Sequence, residues 1–176
     1  MNYCEYDNLY KYLIIKQQNM FQKHDVHYEI DDLDRSILSA LTKDAKTPYT
    51  EIAKNLIVSP GTIHVRMKKL EELGVVRGST VLLDPQKLGY DLTAYLGVHL
   101  EHGSDYEEVV EDLKKVPEVT EAYFTTGAYS IFLKIHCKNT QHLYDVLNHK
   151  IQSIKSVTRT ETLICLTESI KRQIEL

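Results

Sequence analysis

The chain has no apolar run long enough for a membrane span. Its longest candidates, such as Tyr12-Leu13-Ile14-Ile15, fall far short of roughly 18 residues. It is poor in cysteine. Cys4, Cys137 and Cys165 are scattered, odd in number and free of any CxxC pair, so neither a disulfide framework nor a zinc site is indicated. No GxGxxG follows a strand pattern, which excludes a dinucleotide-binding Rossmann domain. No HExxH or GxSxG is present, so the strong signatures of metallohydrolase and serine-hydrolase chemistry are missing. The N-terminus carries Glu5 and Asp7 where a secretory signal needs a basic region, so cytoplasmic residence is the expectation.

What remains is a chain of 176 residues, 43% hydrophobic and 26% charged, the composition of one large or two small globular domains. Net charge is -4, from 21 basic and 25 acidic residues, and it is segregated. Residues 59–69 hold Arg66, Lys68 and Lys69 and no acid. Residues 101–121 hold eight acids against Lys114 and Lys115 and read as a solvated helix surface. One half suits phosphate and the other avoids it.

Residues 1–29 read as a tyrosine-rich extension without helix caps. From residue 30 the apolar period is helical. Ile30, Leu33, Ile37, Leu38 and Leu41 form one face, with Asp31 or Asp32 as N-cap. Pro48 ends that helix, and a short helix starts at Thr50 as N-cap. A third helix opens at Ser59-Pro60, a capping serine before a proline in the first helical position. Ile63, Met67, Leu70 and Leu73 are its buried stripe, and Gly74 stops it. Residues 75–83 are expected to form two short strands about Gly78, a wing. The pattern is a winged helix-turn-helix over residues 30–83.

Residues 84–91 read as a linker. Beyond it, Leu92, Ala94, Leu96, Val98 and Leu100 alternate as a strand face. A helix capped by Ser104 follows, then strands over 119–124 and 129–137, a helix capped by Thr140, and a last strand from 157. Strand-helix-strand-strand-helix-strand over residues 92–170 is a ferredoxin-like unit, with 171–176 as a tail. The fold class is α+β.

Two sites stand out. On the third helix the buried stripe leaves Gly61, Thr62, His64, Val65, Arg66 and Lys69 outside. Thr62 and His64 can bond base edges or phosphates, and Arg66, placed on the exposed face, can bond guanine bidentately. Lys68 and Lys69 neutralise phosphates. Tyr49, Thr50, Ser59, Pro60 and the wing's Arg77 complete the DNA-binding set. The second site is the turn Thr125-Thr126-Gly127, which offers two hydroxyls and backbone N–H groups at a sheet end; a plain tight turn is the competing reading. The histidine pairs His24/His27, His99/His102 and His142/His149 match no strong ligand motif, and no metal is expected.

The runs Asp32-Leu33-Asp34-Arg35-Ser36-Ile37-Leu38 and Ser59-Pro60-Gly61-Thr62-Ile63-His64-Val65-Arg66 resemble the DNA-binding half of the Lrp/AsnC feast/famine regulators. Residues 119–127, Tyr129-Ser130-Ile131-Phe132 and Thr160-Glu161-Thr162-Leu163-Ile164 resemble their amino-acid-sensing half. Within the family the likeness is to the asparagine-responsive AsnC branch. Ser130 is one reason, since many members carry Asp there. The resemblance implies a transcriptional regulator, not an enzyme, without cofactor, whose partners are double-stranded DNA and a small amino acid. It implies dimers formed through the sheet and octamers or higher rings built from them. The effector, L-asparagine by this resemblance, would bind between dimers beside Thr125, Thr126, Gly127, Ala128, Tyr129 and Ser130, with Gln152 reaching in from the neighbouring dimer. Ala128 departs from the larger polar residue expected, and the N-terminal extension is a second departure. An effector-independent DNA-packing protein and a ferredoxin-like enzyme are the alternatives.

Overall fold

The structure, a computed structural model, describes residues 29–176. The expected extension, with Cys4, His24 and His27, lies outside the described residues apart from residue 29. The chain divides into two compact units: one runs to Leu82 and includes Ile170–Leu176, the other is Leu83–Ser169.

In the first unit α1 spans Asp32–Lys43, α2 Tyr49–Asn55 and α3 Pro60–Glu72. Asp31 caps α1 by accepting the Asp34 N–H at 2.9 Å, and the Asp34 carboxylate accepts the Asp31 N–H at 3.3 Å, a reciprocal capping box. Two acids in the first turn also suit the helix dipole. Ser59 Oγ accepts the Thr62 N–H at 3.1 Å at the start of α3, with Pro60 first in the helix as expected. Gly74 stops α3 with φ +71. Ile37, Leu38, Ile52, Ala53, Ile63, Met67 and Leu70 interlock as one core, so each helix is held by its apolar face rather than by propensity. The turn between α2 and α3 carries Ile57 at φ +57 and 92% exposed. A β-branched residue in that region costs about 1–2 kcal/mol, which the surrounding core holds in place.

Two expectations fail here. Thr50 does not cap α2; it lies inside the helix, exposed. Pro48 is the cap, its φ already near helical, and its carbonyl accepts the N–H groups of Glu51 and Ile52. Residues 75–84 form no strands. Val75, Val81, Leu82 and Leu83 have strand propensity, yet they stand exposed with no ladder partner among the described residues. Gly78 at φ +133 bends the segment without closing a hairpin.

The second unit has β1 at Leu92–Leu100, α4 at Tyr106–Leu113, β2 at Val119–Phe124 and β3 at Ile131–Cys137. Next come α5 at Thr140–Asp145, which runs on as a π-helical turn over Val146–Ile151, and β4 at Val157–Ile164. The strands lie in the order β2-β3-β1-β4, every neighbour antiparallel. This is the ferredoxin-like order. Ala94, Leu96 and Val98 alternate onto one face with Ile131, Leu133 and Ile135, packed with Val109, Leu113, Leu143 and Val146 of the helices. The caps differ from expectation. A single 3-10 turn, Gly103–Asp105, feeds α4 with no side-chain cap, so Ser104 is not one. Asn139, not Thr140, caps α5, its side chain accepting the His142 N–H at 2.8 Å. Among the described residues no helix is long and apolar enough to cross a membrane.

Candidate nucleic-acid interface and effector turn

The exposed side of α3 follows from its core stripe. Ile63, Met67 and Leu70 point inward, which leaves Gly61, His64, Val65, Lys68 and Lys69 outside and Thr62 half-buried. Val65 is 70% exposed, an apolar group with no intramolecular reason to be there. Thr62 Oγ1 sits 2.9 Å from Ser59 Oγ, so the two hydroxyls share one hydrogen bond at the helix start. Tyr49 at the start of α2 meets the His64 ring edge-on at 4.8 Å. Tyr49, Ser59, Pro60, Gly61, Thr62 and His64 therefore gather at one end of α3. Lys68 lies further along, 3.8 Å from Glu72 one turn away, a surface pair of small energy. Arg77 and Thr50 are exposed on neighbouring segments.

Arg66 departs from expectation. It does not stand free on the exposed face. Its guanidinium Nη1 donates to Asp31 Oδ2 at 2.6 Å and to Asp34 Oδ1 at 2.9 Å. Asp34 is fully buried. The hydrogen bonds to Asp31 and Asp34 push the guanidinium pKa up, against the opposing pull of burial. Asp31 is held below the usual carboxylate range, first by the Asp34 N–H it accepts and then by Arg66. Arg66 lies between Ile63 and Met67, at the edge of the buried stripe, where a long side chain can turn inward to a carboxylate.

At the effector turn Thr125 is an internal brace. Its hydroxyl donates to the Tyr129 carbonyl, and its N–H donates to the Ser130 carbonyl at 3.1 Å. Ser130 N–H in turn donates to the Val98 carbonyl at 2.9 Å, and its Oγ accepts the Leu100 N–H at 3.5 Å. The turn is stapled to β1, and Thr126, Gly127 and Ala128 are left exposed on its tip. A Cβ built at Gly127 would meet nothing within 4 Å.

Tyr129 leaves this tip and crosses the helix-free face of the sheet. Its ring lies on Gly97: a Cβ there would be 2.3 Å from Tyr129 Cδ1. Its hydroxyl donates to Glu161 Oε2 at 3.0 Å, and its ring stacks with Phe132 at 6.2 Å and meets His99 edge-on at 5.3 Å. Glu161 also accepts from Arg159 at 2.5 Å, and the buried His99 Nε2 lies 3.5 Å from it. The Tyr129 hydrogen bond is the first cause holding the Glu161 carboxyl low, and Glu161 pushes the Tyr129 hydroxyl up. Gln152 donates to Thr160 Oγ1 at 2.8 Å at the start of β4.

Sequence reasoning missed three features. Gly97 is the first; a lone glycine inside an alternating strand is the signal of close approach. Lys134 is the second. It is only 7% exposed, with Glu168 at 3.2 Å and Glu121 at 3.5 Å, and nothing local marks it. The third corrects the reading of residues 101–121 as a uniformly solvated surface. Glu118 is buried, and its Oε1 accepts from Lys150 Nζ at 2.7 Å and His142 Nε2 at 3.1 Å. His142 Nδ1 accepts the Lys138 N–H, so its ring proton sits on Nε2 and points at Glu118. His142 is thus a structural hydrogen-bond partner of Glu118. Cys137 is buried. Burial, then the nearby Glu118 carboxylate, pushes its thiol up to about 11 and leaves it unreactive. Among the described residues no group of three or more His, Cys, Asp or Glu is arranged to hold a metal ion.

A helix-turn-helix with a polar, capped third helix, in one chain with a ferredoxin-like domain that carries an exposed, braced turn, is the arrangement of a DNA-binding regulator with a ligand-binding domain. Comparison with known proteins agrees. Residues 30–77 match the family described as winged helix-turn-helix DNA-binding, and residues 93–174 match the Lrp/AsnC ligand binding domain. The chain is 49% identical to the Regulatory protein AsnC of Haemophilus influenzae over 148 residues, 84% of this chain and 99% of that protein. It is 46% identical to the Escherichia coli Regulatory protein AsnC, whose solved structure it matches with a TM-score of 0.81 over 85% of this chain and 100% of that one. The feast or famine regulatory protein of M. tuberculosis, solved in complex with L-methionine, is 26% identical with a TM-score of 0.78, over 84% of this chain and all of that one.

The chain belongs to the Lrp/AsnC family. It is a DNA-binding transcriptional regulator with an amino-acid-binding domain, not an enzyme.

Proposed function

We propose that this regulator reads DNA with the N-terminal part of α3 and changes its DNA binding in response to L-asparagine held at the Thr126-Gly127-Ala128 tip. The observation that carries the reading is the tip itself. It is exposed, it is braced by Thr125 and Ser130 against β1, and Gly127 leaves its backbone open. A rigid turn with free backbone N–H groups suits a carboxylate, and hydroxyls suit an amide. The L-methionine complex of the M. tuberculosis protein supports an amino-acid ligand, and the choice of asparagine rests on the resemblance to the AsnC branch.

On the DNA side Tyr49, Thr50, Ser59, Pro60, Gly61, Thr62, His64, Val65, Lys68, Lys69 and Arg77 form the contact set. Val65 suits a thymine methyl and Thr62 and His64 suit base edges or phosphates. Two copies pair through the helix-free sheet face, where Tyr123 and Leu163 stand more than half exposed. Such dimers place two recognition helices about one DNA turn apart. Dimers then assemble further, up to octamers, with the effector between them and Gln152 contributed by the neighbouring dimer. Asparagine acts only through its different affinity for alternative arrangements of that assembly.

The test is the melting of the full chain against each of the twenty amino acids. At about 100 times its dissociation constant, a ligand that binds only the folded state adds roughly 2.7 kcal/mol. A selective asparagine shift, abolished in Gly127→Asp while the ligand-free melting point is kept, is the expected result. A shift with a different amino acid overturns asparagine, and an undiminished shift in Gly127→Asp removes the tip from the site.

A further inference from the structure

Arg66 lies on the helix that the proposed function turns toward DNA, and an arginine there is ordinarily taken for a base or phosphate contact. Its surroundings argue otherwise. It faces two carboxylates, Asp31 at 2.6 Å and Asp34 at 2.9 Å, both on one guanidinium nitrogen. Held by two carboxylates, the guanidinium is already engaged within its own domain rather than turned toward a phosphate. Asp34 is completely buried, and a carboxylate taken out of water is costly unless it is paired and hydrogen-bonded, as it is here by Arg66. Asp31 and Asp34 are also the two halves of the capping box that starts α1. One side chain therefore joins the middle of α3 to the N-terminus of a helix more than thirty residues earlier, by short, charge-assisted bonds with defined geometry.

We infer that Arg66 is a positioning residue: clamped by Asp31 and Asp34, it fixes the rotation and tilt of α3 against α1 and thereby sets which side chains α3 presents to DNA. The inference rests on the reading of α3 as the DNA-facing helix. It has a consequence opposite to simple electrostatics. Removing an acid from a DNA-binding domain reduces repulsion from the phosphates and should tighten binding. If the clamp sets the helix, removing either acid weakens specific binding.

The clean variant is Asp31→Asn. Asparagine caps a helix as well as aspartate does, so α1 keeps its start while one of the two charges facing Arg66 is gone and Asp34 remains. Asp34→Asn and Arg66→Gln break the clamp more severely, and Arg66→Lys restores a cation without the fork. The full chain and each variant are titrated onto a duplex that the wild-type chain selects from a random pool, and onto unrelated DNA. Titrations run at several salt concentrations, below each variant's melting temperature. Lys68→Gln/Lys69→Gln is the phosphate-binding control.

Asp31→Asn and Arg66→Gln should each weaken binding to the selected duplex by about tenfold or more, the scale of one charge-assisted hydrogen bond. The salt slope should stay at the wild-type value, binding to unrelated DNA should change little, and Arg66→Lys should recover part of the affinity. The control should lower the slope by about one for each phosphate that its two lysines no longer neutralise. Unchanged or tighter binding by Asp31→Asn overturns the proposal. So does a slope that falls by about one in Arg66→Gln, which would make Arg66 a direct phosphate ligand. If the lysine control binds as the wild type does, the DNA-facing reading of α3 fails, and the clamp proposal fails with it.

Discussion

Lys150→Met should destabilise the second unit by about 3 kcal/mol, the lower edge of the range for breaking a buried ion pair, because the lysine itself is partly solvated. The Glu118 carboxylate is buried and would keep only the His142 Nε2–H on its Oε1, while Oε2 already lacks a hydrogen bond. An uncompensated carboxylate in that place either stays charged at high cost or takes a proton. Melting against pH separates this from a packing defect. In the wild type burial raises the Glu118 pKa, but hydrogen bonds led by Lys150 outweigh it and hold the group below its ordinary 4.5. A depressed folded-state pKa contributes stability that is present above 4.5 and lost as pH falls through the folded value. The gap between wild type and Lys150→Met should therefore be full at neutral pH and shrink below about pH 4.5. A gap that does not change with pH would assign the effect to missing methylene packing instead.

Gly97→Val should displace the Tyr129 ring and uncouple the effector turn from the sheet. Even a bare Cβ falls 2.3 Å from the ring, inside any tolerable contact, and valine adds two methyls. A tyrosine ring has few ways to yield. It must leave Glu161 and its stacking on Phe132, and the backbone that joins it to Ala128 moves with it. Overpacking of this kind costs about 1–3 kcal/mol, and the broken hydrogen bond to a carboxylate adds about 1.5–3 kcal/mol. Effector affinity should fall together with stability. Tyr129→Phe is the control: it keeps the ring on Gly97 and removes only the hydroxyl, so its effect should be limited to the hydrogen bond. Equal effects of the two variants would mean that the ring's seat on Gly97 does not matter.

The helical half was legible because its punctuation is local. Asp31, Ser59, Pro60 and Gly74 each act within one turn of their own position, and the structure uses all four. The sheet was legible from period two alone, since Ala94, Leu96 and Val98 mark the core face without reference to anything distant. Apart from the caps expected at Thr50, Ser104 and Thr140, what failed depended on partners far along the chain. Arg66 reads as an exposed base reader until Asp31 and Asp34, 35 and 32 residues earlier, are placed beside it. Glu118 reads as one more surface acid until Lys150, 32 residues later, arrives. The two strands expected about Gly78 failed for the complementary reason: residues 75–83 have strand propensity, but a strand needs a second backbone, and the described residues supply none. At the effector turn the sequence offered hydroxyls and a glycine. Only the fold shows Thr125 spent as a brace and Tyr129 turned onto Gly97.

Amino-acid control of DNA binding is the central claim, and one titration tests it most directly. The full chain is titrated onto its selected duplex with and without saturating L-asparagine, and Gly127→Asp is treated in the same way. Asparagine should change the wild-type affinity or its cooperativity, while Gly127→Asp binds the same duplex and ignores the amino acid. Wild-type binding that is identical with and without every one of the twenty amino acids would contradict the claim.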